Sequence, residues 1–117
     1  MSVRPLRRGD VVLASFPFTD LSGRRVRPVL VVSSVPSGPD FILIFISSVI
    51  PSRPTPFDFI LLPIHPEFPA TGLRLPSVFR ANRLGTLNRI LLSRRLGRVG
   101  SRIQREIDLR LRAAVGL

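Results

Sequence analysis

An arginine-proline pair at the head of an apolar run, Arg27-Pro28-Val29-Leu30-Val31-Val32-Ser33, constrains the fold more than any other stretch. Val29, Leu30, Val31 and Val32 are mostly β-branched and favour a pleated surface. They are apolar without alternation, which places both faces of the strand under cover. Pro28 has no amide to donate and is expected at the first position of that strand. It also biases Arg27 toward extended backbone at the strand mouth. A guanidinium held there, partly shielded, presents a fixed charge suited to a phosphate. A solvated arginine-rich turn explains Arg24, Arg25 and Arg27 equally well from these residues alone.

The 117 residues suit a single domain, 1–117, and a chain of this size buries roughly 65% of its unfolded surface. Without cysteine there are neither disulfides nor thiolate metal sites, which fits a reducing compartment. The basic start, Met1 to Arg8, runs into Gly9-Asp10 rather than an apolar segment and does not read as a signal peptide. The longest apolar run, Phe41 to Ile46, is too short to span a bilayer. A soluble, cytoplasmic protein with no membrane partner is expected. All 18 basic residues are arginine, against 7 acids, giving a formal charge of +11. A GC-rich genome enriches Arg and Pro together, so the missing lysine says little. The net charge says more: it calls for an anionic partner, nucleic acid or an acidic protein segment.

In chain order, Arg8-Gly9-Asp10 reads as a turn opening a strand over Val11–Phe16, followed by a loop from Pro17 to Gly23. Strands are expected over Pro28–Ser33, Phe41–Ser47 and Phe57–Leu62, with loops at Pro36–Asp40 and Ser52–Pro56. Pro63 to Gly72 holds three prolines and is expected to be irregular. Leu75 to Leu84 reads as a half-buried strand. Leu87 to Leu92 fits a short helix or a strand, and Arg95 to Val99 a last short strand. Ser101, with Gln104 three residues on, forms a capping-box pattern. After it Ile103, Ile107, Leu111 and Val115 line one helix face, with Ala114 beside them. Glu106 and Asp108 are expected to pair with Arg102, Arg105, Arg110 and Arg112. Together these predict a mainly β fold: a small, curved, antiparallel sheet or barrel with one C-terminal helix over it.

Catalytic options narrow by exclusion. The one histidine, His65, sits between Ile64 and Pro66 in the proline-rich loop and most simply does nothing catalytic. There is no HExxH, no ligand spacing for a metal, no carboxylate cluster, no GxSxG elbow and no Gly-rich phosphate loop. What remains is arginines and hydroxyls, which suffice only for a substrate that carries its own nucleophile. RNA is such a substrate, because its 2′-hydroxyl lies beside the scissile phosphate. Arg27 can supply charge, and Ser47 and Ser48, at the end of the Phe41–Ser47 strand, can supply hydroxyls.

Gly9-Asp10-Val11-Val12-Leu13, Phe16 to Gly23 and Arg27 to Ser33 resemble the MazF/PemK toxins of type II toxin–antitoxin pairs. The likeness extends through Gly72-Leu73, Pro76 to Arg80, Leu84 to Leu87, Leu96 to Val99 and the closing helix. It implies an SH3-like, CcdB/PemK-type barrel that forms homodimers, needs no cofactor or metal, and cuts single-stranded RNA sequence-specifically. It further implies 2′,3′-cyclic phosphate and 5′-hydroxyl ends, an acidic antitoxin as partner, and DNA binding as the complex with that antitoxin. By the same resemblance Arg27 matches the catalytic arginine, and Ser47 falls where the family carries a catalytic threonine or serine. Phe18, Thr19, Arg24, Arg25, Ser48, Arg53, Arg80 and Asn82 are the expected RNA-binding residues. The chain departs from the family at Val49, usually glutamine, and at Asn82, where some members have an aspartate.

Two other readings share the barrel: a gyrase-directed toxin of the CcdB type and a catalytically silent nucleic-acid-binding barrel. The Arg-Pro entrance argues against the first; Val49 and Asn82 are the features that favour the second. Apolar content of 44% in so small a chain exceeds what one barrel can bury and predicts a two-fold dimer, with the RNA groove across or beside the interface. Specificity is expected in the loops Pro17–Arg25 and Ser52–Pro56.

Overall fold

The computed structural model describes residues 5–17, 24–33 and 38–117, with the side chains at 17 and 24 excepted. Six strands are present among them: β1 (Asp10–Pro17), β2 (Arg24–Val31), β3 (Asp40–Ser47), β4 (Asp58–Leu61), β5 (Ser77–Asn88) and β6 (Leu92–Arg98). One helix, α1 (Ser101–Val115), follows. The strands form one sheet in the order β4-β5-β3-β2-β1-β6, antiparallel at every step. A flat sheet under one helix would be roughly 20 Å thick. The molecule measures 36 × 34 × 31 Å instead, so the sheet curls. The expected mainly β, curved antiparallel architecture with a terminal helix is therefore the observed one.

Both faces of the central strands are covered, as the unbroken apolar run of β2 requires. On one face Val11, Leu30, Ile44 and Phe79 pack with Ile103 and Ile107 of α1. On the other, Val12, Ala14, Val29, Val31 and Leu43 pack with Leu6 and Leu92. Adjacent residues of β1 and β2 thus feed opposite cores, which is how a strand alternates while staying wholly apolar.

Several local expectations are corrected. Pro28 is the fifth residue of β2, not the first. It can sit there because β3 joins the ladder only at Val29, one residue later. The proline-rich segment is not wholly irregular: Pro69–Thr71 makes a 3-10 turn with proline at its start, the one helical position that tolerates it. Of the ambiguous stretch, Leu87 and Asn88 finish β5, Arg89–Leu91 form a second 3-10 turn, and Leu92 opens β6. Ser101 is not the helix cap, and Gln104 does not reach back to form a capping box. Gly100 holds the N-cap position, and the carboxylate of Glu67, from the proline-rich segment, accepts from the Arg102 and Ile103 amides at 3.0 and 2.8 Å. A Cβ on Gly100 would lie 2.4 Å from the Glu67 carboxyl carbon, so glycine admits the distant cap. On α1, Glu106 pairs with Arg110 as expected, but Asp108 pairs with Arg8 beside β1 rather than with a helix arginine, and also accepts from Gln104 Nε2 at 3.0 Å. Val115 is exposed, past the end of the covered face. No helix among the described residues is long and apolar enough to cross a membrane.

Candidate nucleic-acid interface

The β2–β3 ladder is short. Val29, Leu30 and Val31 pair with Phe45, Ile44 and Leu43, and pairing ends there. Extending that register sets Pro28 opposite Ile46 and Arg27 opposite Ser47, but the two strands part before reaching it. β2 stays with β1, where Arg27 faces Ala14, and β3 stays with β5, where Ser47 faces Val78. A groove of about 870 Å³ opens at this split. Arg27, Pro28 and residues 45–49 line it on the split side. Residues 72–75 with Ser77, and Arg94 and Leu96 of β6, form the rest of its lining.

Alternation along the strands tells which face each side chain shares. Arg27 follows Val29 and Val31, and Ser47 follows Phe45 and Leu43, so both continue the face of the second core. Phe45 anchors this side, its ring 5.3 Å from that of Phe16. Leu73 and Leu96 belong to the first core. The groove is thus cut through the gap and takes its lining from both faces of the sheet.

The hydroxyl of Ser47 accepts a hydrogen bond from the Val49 amide at 3.0 Å. That turn fixes the oxygen and leaves its own proton free to donate. Ser48 and Val49 are exposed beside it. Arg27 is exposed, which corrects the expectation of a partly shielded guanidinium: β3 no longer pairs with β2 at this position.

The other expected RNA-binding residues are not all gathered here. Phe18 and Thr19 lie outside the described residues, and Arg24 is described only as the start of β2. Arg25 is an exposed strand residue opposite Phe16. Arg53 is exposed in the 52–56 loop and does not line the groove. Arg80 is turned to Asp58, Nε to Oδ1 at 3.4 Å, with the carboxylate wholly buried. Asn82 is exposed, on a bulge where β5 passes from Arg80 to Leu84 while β3 advances one residue, and is likewise outside the groove lining.

Sequence reading passed over Arg74 and Arg94. Register carries the signal for Arg94, which faces Leu13, next to the Ala14 that faces Arg27; Arg74 lies outside any strand and has no such signal. Neither is paired with an acid among the described residues, nor is Arg27. The described acids are mostly committed elsewhere. Asp10 is buried between Arg95 and Arg98, Asp58 takes Arg80, Glu106 takes Arg110, Asp108 takes Arg8, and Glu67 caps α1. The groove's described lining therefore carries three cations and no carboxylate.

His65 is not in the groove; its Nδ1 accepts from the Glu67 amide at 3.0 Å and shapes the capping turn. Burial pushes the Glu67 carboxyl up, but the Ile103 and Arg102 amides, with nearby His65 and the Arg102 guanidinium, more than reverse this and hold it below its ordinary value. No group of three His, Cys, Asp or Glu side chains able to hold a metal occurs among the described residues.

Residues 7–115 match the family model described as PemK-like, MazF-like toxin of type II toxin-antitoxin system. No curated protein sequence matches significantly. Among solved structures, the chain is similar to an endoribonuclease in complex with its cognate antitoxin from Mycobacterial species. The identity is 23%, covering 97% of each chain, with a TM-score of 0.73. It is similar to the Mycobacterium tuberculosis toxin MazF-mt6 at 17% identity, covering 92% of this chain and 97% of that one, TM-score 0.71. A MazE-MazF structure from Deinococcus radiodurans matches at 21% identity, covering 96% and 97%, TM-score 0.70. At these identities the structures speak for the fold.

Proposed function

The chain belongs to the PemK-like, MazF-like toxins of type II toxin–antitoxin systems, and from that premise we propose that it is a metal-independent endoribonuclease acting on single-stranded mRNA. The observation that supports this reading is the split between β2 and β3, which opens a cationic groove whose lining includes both Arg27 and Ser47.

The chemistry follows from what the groove holds. The 2′-oxygen of the substrate attacks the adjacent phosphorus. A 2′-O–P bond forms, the P–O5′ bond breaks, the 2′-proton passes to water and the departing 5′-oxygen gains one. The products are a 2′,3′-cyclic phosphate and a 5′-hydroxyl. Arg27 places a planar fork on the phosphate oxygens as their charge grows, and the Ser47 hydroxyl donates to the same group. Ser48 stands next to Ser47 at the mouth. With no carboxylate or histidine in the described lining, orientation and charge stabilisation dominate over general acid–base work.

An antitoxin is the natural partner, since two of the similar structures contain one. An acidic segment laid along the cationic groove would exclude RNA and fold as it binds. The homodimer and a cytoplasmic location belong to the same reading. A gyrase-directed toxin is not favoured, because the family match and the endoribonuclease likeness point to RNA.

Incubating the protein with a defined single-stranded RNA in EDTA tests this. The expected result is discrete cuts whose upstream fragments end in 2′,3′-cyclic phosphate. Binding without cutting would leave a silent barrel, and neither binding nor cutting would sink the ribonuclease reading.

A further inference from the structure

Resting on the ribonuclease reading of the groove, we infer that Arg74 and Arg94 are positioning residues that hold phosphates next to the one at Arg27, so that the protein grips several consecutive phosphates of one strand.

The wall that carries them is a built one. The segment from Pro69 to Ser77 is fastened to β6 by two glycines at contact distance. A Cβ on Gly72 would lie 2.2 Å from the Leu96 carbonyl oxygen, and one on Gly97 would lie 2.2 Å from that of Ala70. Two buried hydroxyls then fix the segment from within. Thr71 Oγ1 donates to the Phe68 carbonyl at 2.7 Å and accepts from the Leu73 amide at 3.1 Å. Ser77 Oγ donates to the Leu75 carbonyl at 2.8 Å. Arg74 lies between those two anchors, and Arg94 lies on the strand to which the segment is fastened. Their backbones are therefore tied to one another, and both residues line the groove that Ser47 also lines.

Charge separates Arg94 from its neighbours. Arg95 and Arg98 share the buried Asp10 at 3.1 and 2.8 Å, so β6 spends those two arginines on the fold. Arg94 has no such partner among the described residues and lines the groove; the same holds for Arg74. Unpaired guanidiniums on a rigid wall repel one another unless an anion lies between them. A single strand passing Arg27 supplies that anion repeatedly, and the apolar side chains of Phe45, Leu73 and Leu75 offer its bases a surface.

The test uses a short RNA made non-cleavable by 2′-O-methylation throughout, titrated over a range of salt with wild type, R74Q, R94Q, the double variant, R74K and R94K. Each Gln variant is expected to weaken binding roughly tenfold and to lower the slope of log K against log salt by about 0.7. The Lys variants should keep the slope, because a point charge still displaces a counterion. With cleavable RNA, the Gln variants should raise KM while leaving kcat at saturation near wild type. An unchanged salt slope in the double variant, or a fall in kcat at unchanged KM, would overturn the assignment while leaving the ribonuclease reading intact. If wild type neither binds nor cuts RNA, that reading fails and takes this one with it.

Discussion

Arg27 and Ser47 come to one groove where the β2–β3 ladder ends. One is an arginine before a proline and the other a serine at a strand exit, twenty residues apart. The three-residue ladder from Val29 to Val31 stops two positions short of both, and the strands part there into the groove that both residues line. The resemblance pointed to both residues; register supplies the physical reason. The same logic accounts for what sequence did not reveal. Arg80, between Phe79 and Ala81, looks as available in sequence as Arg27, yet the buried Asp58 claims it. Arg94 and Arg95 are adjacent and identical, and only strand alternation sends one to Asp10 and the other to the groove. Three outcomes are expected at this scale. Arg27→Lys should recover little of the activity lost in Arg27→Ala, since a point charge does not replace a fork on two oxygens. Ser47→Ala should reduce kcat less than Arg27→Ala does, and Ser48→Ala less again. His65→Ala should leave cleavage near wild type while lowering thermal stability, because His65 supports the capping turn; steady-state rates and a melting curve separate the two effects.

Among the elements, strand positions were legible because β-branched runs and turn residues mark them: β1, β3 and β4 start and end within a residue or so of expectation. The start of α1 was not, because its cap comes from a carboxylate thirty-six residues upstream of Ile103. A local Ser-x-x-Gln pattern carries no information about a distant competitor, and a charged acceptor serving two amides wins over one hydroxyl. Glu67→Gln should therefore cost about 1 kcal/mol at neutral pH, read by chemical denaturation. Its pH dependence has a definite sign. Because the carboxyl is held below its ordinary value in the folded protein, its contribution is present above the unfolded pKa and is lost as pH falls through the folded one. Wild type should accordingly lose more stability than Glu67→Gln as pH drops below about 4.5. The fastening of the Pro69–Ser77 segment to β6 gives a second expectation. Gly97→Ala forces a methyl onto the Ala70 carbonyl and should destabilise by about 1–3 kcal/mol, with a rise in KM for RNA as the groove wall shifts.

At the scale of the whole molecule, the charge of +11 is not spread evenly in its effect. Among the described residues, internal contacts take up most of the acids, and the groove keeps its cations. The surface also keeps large apolar side chains exposed, among them Ile42, Leu84, Ile64 and Ile90, more than a chain of this size needs to stay folded. Light scattering at micromolar concentration is expected to give twice the 13.0 kDa chain mass; a monomer would contradict the dimer. The acidic antitoxin, added at low salt, should block RNA cleavage, and that block should weaken as salt rises. The central claim, that the β2–β3 split is where RNA is cut, is tested most directly by single-turnover cleavage of one defined RNA by wild type and by Arg27→Ala, both in EDTA and both shown to be folded by circular dichroism. The variant is expected to be slower by about 10²-fold or more, a loss of roughly 3 kcal/mol in the transition state. Equal rates from the two proteins would contradict it.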